Sequence, residues 1–216
     1  MGKYDNDYAE TEEKEETVME KPQARTLVRG GWGSVDAVKN ADSPFAQRLK
    51  VSEEPTIIKF LNDEPYASWR QHWIERQGQK SFVCISDFDD KGCPLCDGGD
   101  RPSVRIAFNV ALLLPHEEAV IKSYEVGPRV IDQLKNFHTD PRTGPLSKHY
   151  WAVSKTGKGA TTATSHQLVK DRDLEEWGID SLDDVALKNL INKSYTADII
   201  SIPTRRDLLE IANELE

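Results

Sequence analysis

Val104-Arg105-Ile106-Ala107-Phe108-Asn109-Val110-Ala111-Leu112 alternates large apolar residues with small or polar ones, the period-two pattern of a half-buried strand. Ala119 to Val126 follows as a second strand and completes a hairpin-like pair. Upstream, the β-branched and aromatic run Thr56 to Leu61 stops at Asn62-Asp63-Glu64-Pro65, and Ser81 to Ile85 follows Gln77-Gly78-Gln79; both read as strands bounded by turn residues. Downstream, Gly127-Pro128 opens a segment with Val130, Ile131, Leu134 and Phe137 at helical spacing, and proline suits the first turn of a helix. Strands return at His149 to Val153 and Ala160 to Val169, around the basic turn Ser154-Lys155-Thr156-Gly157-Lys158-Gly159. A single helix among these strands fits a mainly β (α+β) chain with a five-stranded barrel of the oligonucleotide/oligosaccharide-binding (OB) type; a parallel α/β sheet would need a helix at every crossover.

Outside this core the composition changes. Residues 1–24 are dense in carboxylates and nearly free of aliphatic side chains, so a disordered acidic segment is expected there. The core is placed at 25–170. Residues 171–216 form an acidic, helix-patterned tail, with Ser181/Asp184 and Thr204/Asp207 at capping-box spacing and an apolar stripe of Leu208, Ile211 and Leu215. The net charge of −9 is unevenly divided: residues 1–21 carry −5, residues 171–216 carry −7, and residues 101–170 carry +5. A basic middle between acidic ends suits a polyanion-binding domain with solvating or partner-binding extensions. No run approaches the roughly 18 apolar residues of a membrane span, and the acidic first twenty residues are unlike a signal peptide. The expectation is a protein of a cell's cytoplasm with no membrane partner.

Three cysteines cannot pair off into a disulfide framework. With His72 they give His-x11-Cys-x8-Cys-Pro-Leu-Cys, through Cys84, Cys93 and Cys96, the donor set of a closed Cys₃His zinc site. Gly92 before Cys93, and Asp97-Gly98-Gly99-Asp100 after Cys96, supply the tight turn that a closely spaced thiolate pair needs. The alternative is a core Cys84 with a redox pair at Cys93/Cys96, although such pairs usually open a helix in a βαβ setting. His116, His138, His149 and His166 read as surface residues. A catalytic zinc of the deaminase kind would call for His-x-Glu and an open coordination position. Here the glutamate falls one place late, at Glu75, and four protein ligands close the site, so no enzyme is expected.

These residues resemble the single-stranded DNA-binding (helix-destabilising) proteins of T-even and related tailed phages, over roughly residues 55–170. The resemblance is carried by Ile57 to Leu61, Pro65-Tyr66-Ala67 leading to His72, Ser81 to Cys84, Cys93 to Cys96, Phe108 to Leu113, and Lys122-Ser123-Tyr124 running into the helix. It implies one structural zinc, an OB barrel with a zinc subdomain at about 62–103, and a cleft between them that takes the single strand. The implied activity is sequence-nonspecific coating of single-stranded DNA in phage replication, recombination and repair, within the cytoplasm of a bacterial host. Replication or recombination proteins would be engaged through the acidic C-terminal region.

A cleft of this kind needs cations that track phosphates and flat side chains that stack on bases. The candidates are Lys59, Tyr66, Trp69, Arg70, Arg105, Phe108, Lys122, Tyr124, Trp151, Lys155 and Lys158. Trp73, Phe60 and Phe108 read first as packing residues, whereas Trp69 beside Arg70 and Trp151 near the glycine-lysine turn read as packing or stacking. Two features depart from the family. Its basic amino-terminal arm has no counterpart in residues 1–21, and its aromatic doublet is reduced to Ile106-Ala107-Phe108. The reading from a different class is a zinc-bearing protein-interaction module, which would not need the positive charge of 101–170.

Overall fold

Strand β4 (Ser103–Leu113) organises the molecule because other strands pair with both of its edges. One edge pairs antiparallel with β5 (Val120–Val126), from Ile106↔Val126 to Leu112↔Val120. The other edge takes two strands end to end: β1 (Thr56–Phe60) opposite Val110–Leu113, and β2 (Ala67–Trp73) opposite Ser103–Ala107. Beyond β2 lies the short β3 (Ser81–Val83), and beyond β1 lie β6 (Tyr150–Thr156) and β7 (Ala163–Val169). The result is an open, antiparallel seven-stranded sheet, ordered β3-β2-β4-β1-β6-β7, with β5 on the far edge of β4. This agrees with the expected mainly β (α+β) class; where a five-stranded OB-like barrel was expected, the sheet has seven strands and is open. β2 is not legible in the sequence, because buried Gln71 and His72 and exposed Trp73 break the alternation that Ala67 to Arg70 begin.

The computed structural model describes residues 46–75, 78–157 and 159–215. The acidic segment expected to be disordered, 1–24, lies outside the described residues, as does Lys158. All described residues belong to one compact unit.

Two layers cover the sheet. On one face, helix α2 (Pro128–Thr139) brings Ile131 and Leu134 onto Ile58, Phe60, Phe108, Val110, Tyr124, Trp151 and Val153. On the other, Leu174, Ile179 and Leu190, the last on helix α3 (Asp184–Asn192), pack on Ile57, Ala111, Leu113, Tyr150, Ala152 and Val169. Residues 174–190 of the acidic C-terminal region, placed outside the 25–170 core in sequence, therefore supply a second layer on the sheet. The small residues Ala107 and Ala111 are fully buried, since the smaller side chains of the alternation let that layer approach the sheet. Buried Asn109 fixes it further: its amide donates to the Tyr195 carbonyl (2.9 Å) and its side-chain oxygen accepts from the Tyr195 N–H (2.8 Å).

Helix α1 (Pro94–Asp97) is a single short turn. Helix α4 (Arg205–Leu215) begins at the expected capping box, in which Thr204 N–H donates to Asp207 (3.1 Å) and Asp207 N–H donates to the Thr204 hydroxyl (3.3 Å). At α3 the cap falls on Asp183, not Ser181, with the Asp183 carboxylate accepting from the Ala186 N–H at 2.7 Å. No helix among the described residues is long and apolar enough to cross a membrane.

Candidate metal centre and adjoining basic groove

The pleat of two paired strands assembles the first half of the metal centre. His72 stands opposite Phe82 in the β2–β3 register, and Cys84 continues that strand by donating its N–H to the Arg70 carbonyl at 2.8 Å. Paired residues share a face and side chains alternate along a strand, so His72, Phe82 and Cys84 project the same way. The second half comes from the turn at α1. Cys93 is its extended N-cap, Pro94 opens the helix, and Cys96 lies within it. Gly92 and Gly99 bracket this turn at φ +76° and +90°, where a side chain would be strained.

The four ligand atoms all lie within 4.8 Å of one another. The Cys84 and Cys96 sulfurs are 3.6 Å apart, and His72 Nε2 is 3.4 Å from Cys93 Sγ and 3.6 Å from Cys96 Sγ. A tetrahedral ion with metal–sulfur bonds of about 2.3 Å and a metal–nitrogen bond of about 2.0 Å separates its ligands by ~3.8 Å (S–S) and ~3.6 Å (S–N). The cluster thus has the dimensions to hold one metal ion. His72 Nδ1–H donates to Asp100 Oδ2 at 2.6 Å, which leaves the Nε2 lone pair facing the sulfurs, the orientation that a carboxylate partner gives a metal-ligating histidine. Burial pushes the Cys84 thiol up, but hydrogen bonds from Ser86, His72 and Cys96 more than offset this and bring it down to about 7. Burial and its thiol neighbours push Cys96 up to about 12. Hydrogen bonds within the cluster thus favour a thiolate, and a cation bound among the sulfurs would favour it further.

The candidate nucleic-acid residues are dispersed. Phe108, Tyr124 and Trp151 are core residues around Phe60, with Phe60–Phe108 centroids 5.2 Å apart and the Trp151 N–H donating to the Leu146 carbonyl at 3.0 Å. None presents a ring face to solvent. Lys59 is buried as well, donating to the Ser147 carbonyl at 2.9 Å with its ammonium over the Tyr150 ring, and burial lowers its pKa. Trp69 is buried with its N–H on Gln71 (2.9 Å), and Tyr66 is half-buried and bonded to Ser123 (2.8 Å). Arg70 is paired with Asp87 and donates to Ser86, and Lys122 donates to Gln47 at 2.6 Å.

Arg105 and Lys155, by contrast, line one groove of about 580 Å³ together with Arg129, Thr162 and Thr164. Arg105 also lays its guanidinium over the indole of Trp73, 4.9 Å from the ring centroid. Trp73 is half exposed, at 50%, the reverse of its reading as a packing residue. β2 explains the exchange: Trp69 and Trp73 share a face, and the Ile200 segment covers only Trp69. Arg105 Nε is buried with no partner among the described residues, and burial lowers the pKa of the group. Arg129 was missed in sequence, although it follows the Pro128 that opens α2.

This groove lies where the sheet fails to close, between β5 and the β6–β7 hairpin. The seam is spanned by side chains. Tyr124 on β5 donates to His166 Nε2 on β7 at 2.9 Å, and His166 Nδ1–H donates to Gln133 on α2 at 3.2 Å. His166, read from sequence as a surface residue, is buried. Compared with known proteins, the chain matches no family model, no curated protein and no solved structure.

Proposed function

We propose that the chain binds single-stranded DNA without marked sequence preference, and that its Cys₃His centre holds one structural zinc. The observation that carries the DNA reading is the exposed Trp73–Arg105 stack beside a groove whose other cations are Arg129 and Lys155. Every base has a π-face, so an exposed indole accepts any of them, and the cations supply the electrostatic attraction to phosphate. A duplex hides its bases and gains nothing from the indole. β5, β4, β1, β6 and β7 correspond on this reading to a partly open OB barrel, with the Tyr124–His166 bond in place of the closing ladder. Zinc is favoured by three thiolates and one imidazole at tetrahedral spacing, with no open position. The centre shapes the β2–β3 end, where Trp73 stands, and performs no chemistry.

The test is tryptophan-fluorescence titration with oligo-dT at two salt concentrations. Three phosphate contacts would give a log–log salt slope of about −2. Trp73→Ala would weaken binding by about 5- to 150-fold, the equivalent of ~1–3 kcal/mol for one stacked base. Salt-independent binding, equal affinity for duplex, or an unaffected Trp73→Ala variant would overturn the proposal.

A further inference from the structure

Helix α4 has its apolar face on the metal-binding knuckle. Leu208 is fully buried, and with Ile211 it joins one cluster with Ile74, Phe82, Ile85, Leu95 and the ligands Cys84 and Cys93. At the start of the helix, Arg205 donates to the carbonyls of Lys91 (3.0 Å) and Gly92, immediately before Cys93. His72, Cys84 and Cys93 are buried and only Cys96 is partly exposed. A competing chelator can therefore reach one thiolate directly, but it must uncover the others to take the ion. The segment 86–102 contains just the one-turn helix α1, so beyond the polar contacts of Ser86 and Asp87 with Arg70 and of Asp100 with His72 its closure depends on the ion and the α4 contact. α4 itself has 11 residues, below the ~12–15 at which an isolated helix becomes even marginal in water, so its order depends on docking.

We infer that α4 is a latch on the metal centre: the Leu208–Ile211 face and the Arg205 guanidinium keep the knuckle closed, so that release of the ion and undocking of the C-terminal helix are one coupled event. Coupling of this kind is reciprocal. The latch slows metal loss, and metal loss disorders the helix. The inference rests on the proposed zinc and is independent of DNA binding.

The experiment uses the full-length chain purified with zinc. Metal content is measured first, and zinc release into excess 4-(2-pyridylazo)resorcinol is then followed by absorbance. Leu208→Ala should bind one zinc per chain and release it at least about tenfold faster, because truncating a fully buried leucine leaves a cavity in the face that closes the knuckle. Arg205→Ala, which leaves the apolar core intact, should also speed release and serves if Leu208→Ala does not fold. Leu215→Ala, at an exposed position on the same helix, should release at the wild-type rate. In the wild-type chain, hydrogen exchange of the α4 amides should accelerate in step with zinc loss. Release rates unchanged in the folded variants, or α4 amides equally protected with and without the ion, would overturn the latch while leaving the zinc site standing. A chain that carries no metal would overturn both.

Discussion

Acid should loosen the seam between β5 and β7 through one residue, His166. Burial holds its imidazole neutral down to about 4, against an ordinary 6.5, and both ring nitrogens are engaged in the neutral form, Nε2 accepting from Tyr124 and Nδ1–H donating to Gln133. A proton on Nε2 would oppose the Tyr124 hydroxyl, itself buried and with its pKa raised by burial. The unfolded chain protonates His166 near 6.5 and the folded chain only near 4, so between these values the unfolded state binds more protons. The contribution of His166 to stability is therefore complete above about pH 6.5 and is lost as pH falls toward 4. Its size is up to about 3 kcal/mol, from a difference of roughly 2.5 pH units at ~1.36 kcal/mol each. Urea denaturation of the wild type and of His166→Gln at pH 7.0, 5.5 and 4.0 isolates this contribution, because the carboxylates that also titrate there are common to both proteins. The variant should be the less stable at pH 7, having lost its fit to Tyr124, and the gap should close by about 2–3 kcal/mol by pH 4. A gap independent of pH would refute the reasoning.

Cys93→Ser should abolish stoichiometric metal binding, measured by metal analysis, and lower Tm in the same way as chelation of the wild type. Asn109→Leu removes both bonds to Tyr195 and leaves that peptide group unpaired, so calorimetry should show a loss of about 2–4 kcal/mol. Truncation after residue 170 should give insoluble or unfolded protein by circular dichroism, because Leu174, Ile179 and Leu190 cover the sheet; a soluble product with native strand signal would refute the two-layer description.

The candidate metal cluster was legible because few residue types bind a soft cation, and all three cysteines and one histidine fall at ligand spacing. The central hairpin was legible because Val104–Leu112 alternates large apolar with small or polar residues and a second apolar run follows directly, although both faces of β4 are covered from Ala107 to Ala111. The C-terminal layer was not, since its carboxylates face water and mask the few residues, such as Leu174 and Leu190, that pack on the sheet. The groove was read only in part. Composition marks lysines and aromatics as candidates, but whether Trp69 or Trp73 is covered depends on Ile200, about 130 positions away, and no local pattern encodes that. Arg105 and Lys155 were candidates only as cations on or beside strands, the same ground that put forward Lys59 and Lys122, which are occupied by partners at Ser147 and Gln47.

The second layer also bears on how the chain is made. Ribosomes add residues from the amino terminus at about 5–20 per second, so the sheet face around Ala111 waits on the order of ten seconds before Leu190 has been synthesised. Through that interval Ile57, Leu113 and Tyr150 lack the full cover of the second layer, and the nascent chain exposes an apolar sheet face. Stop codons late in the reading frame would then yield a sticky intermediate in place of a smaller working domain, and the dose of such a product would be felt as aggregation rather than as simple loss.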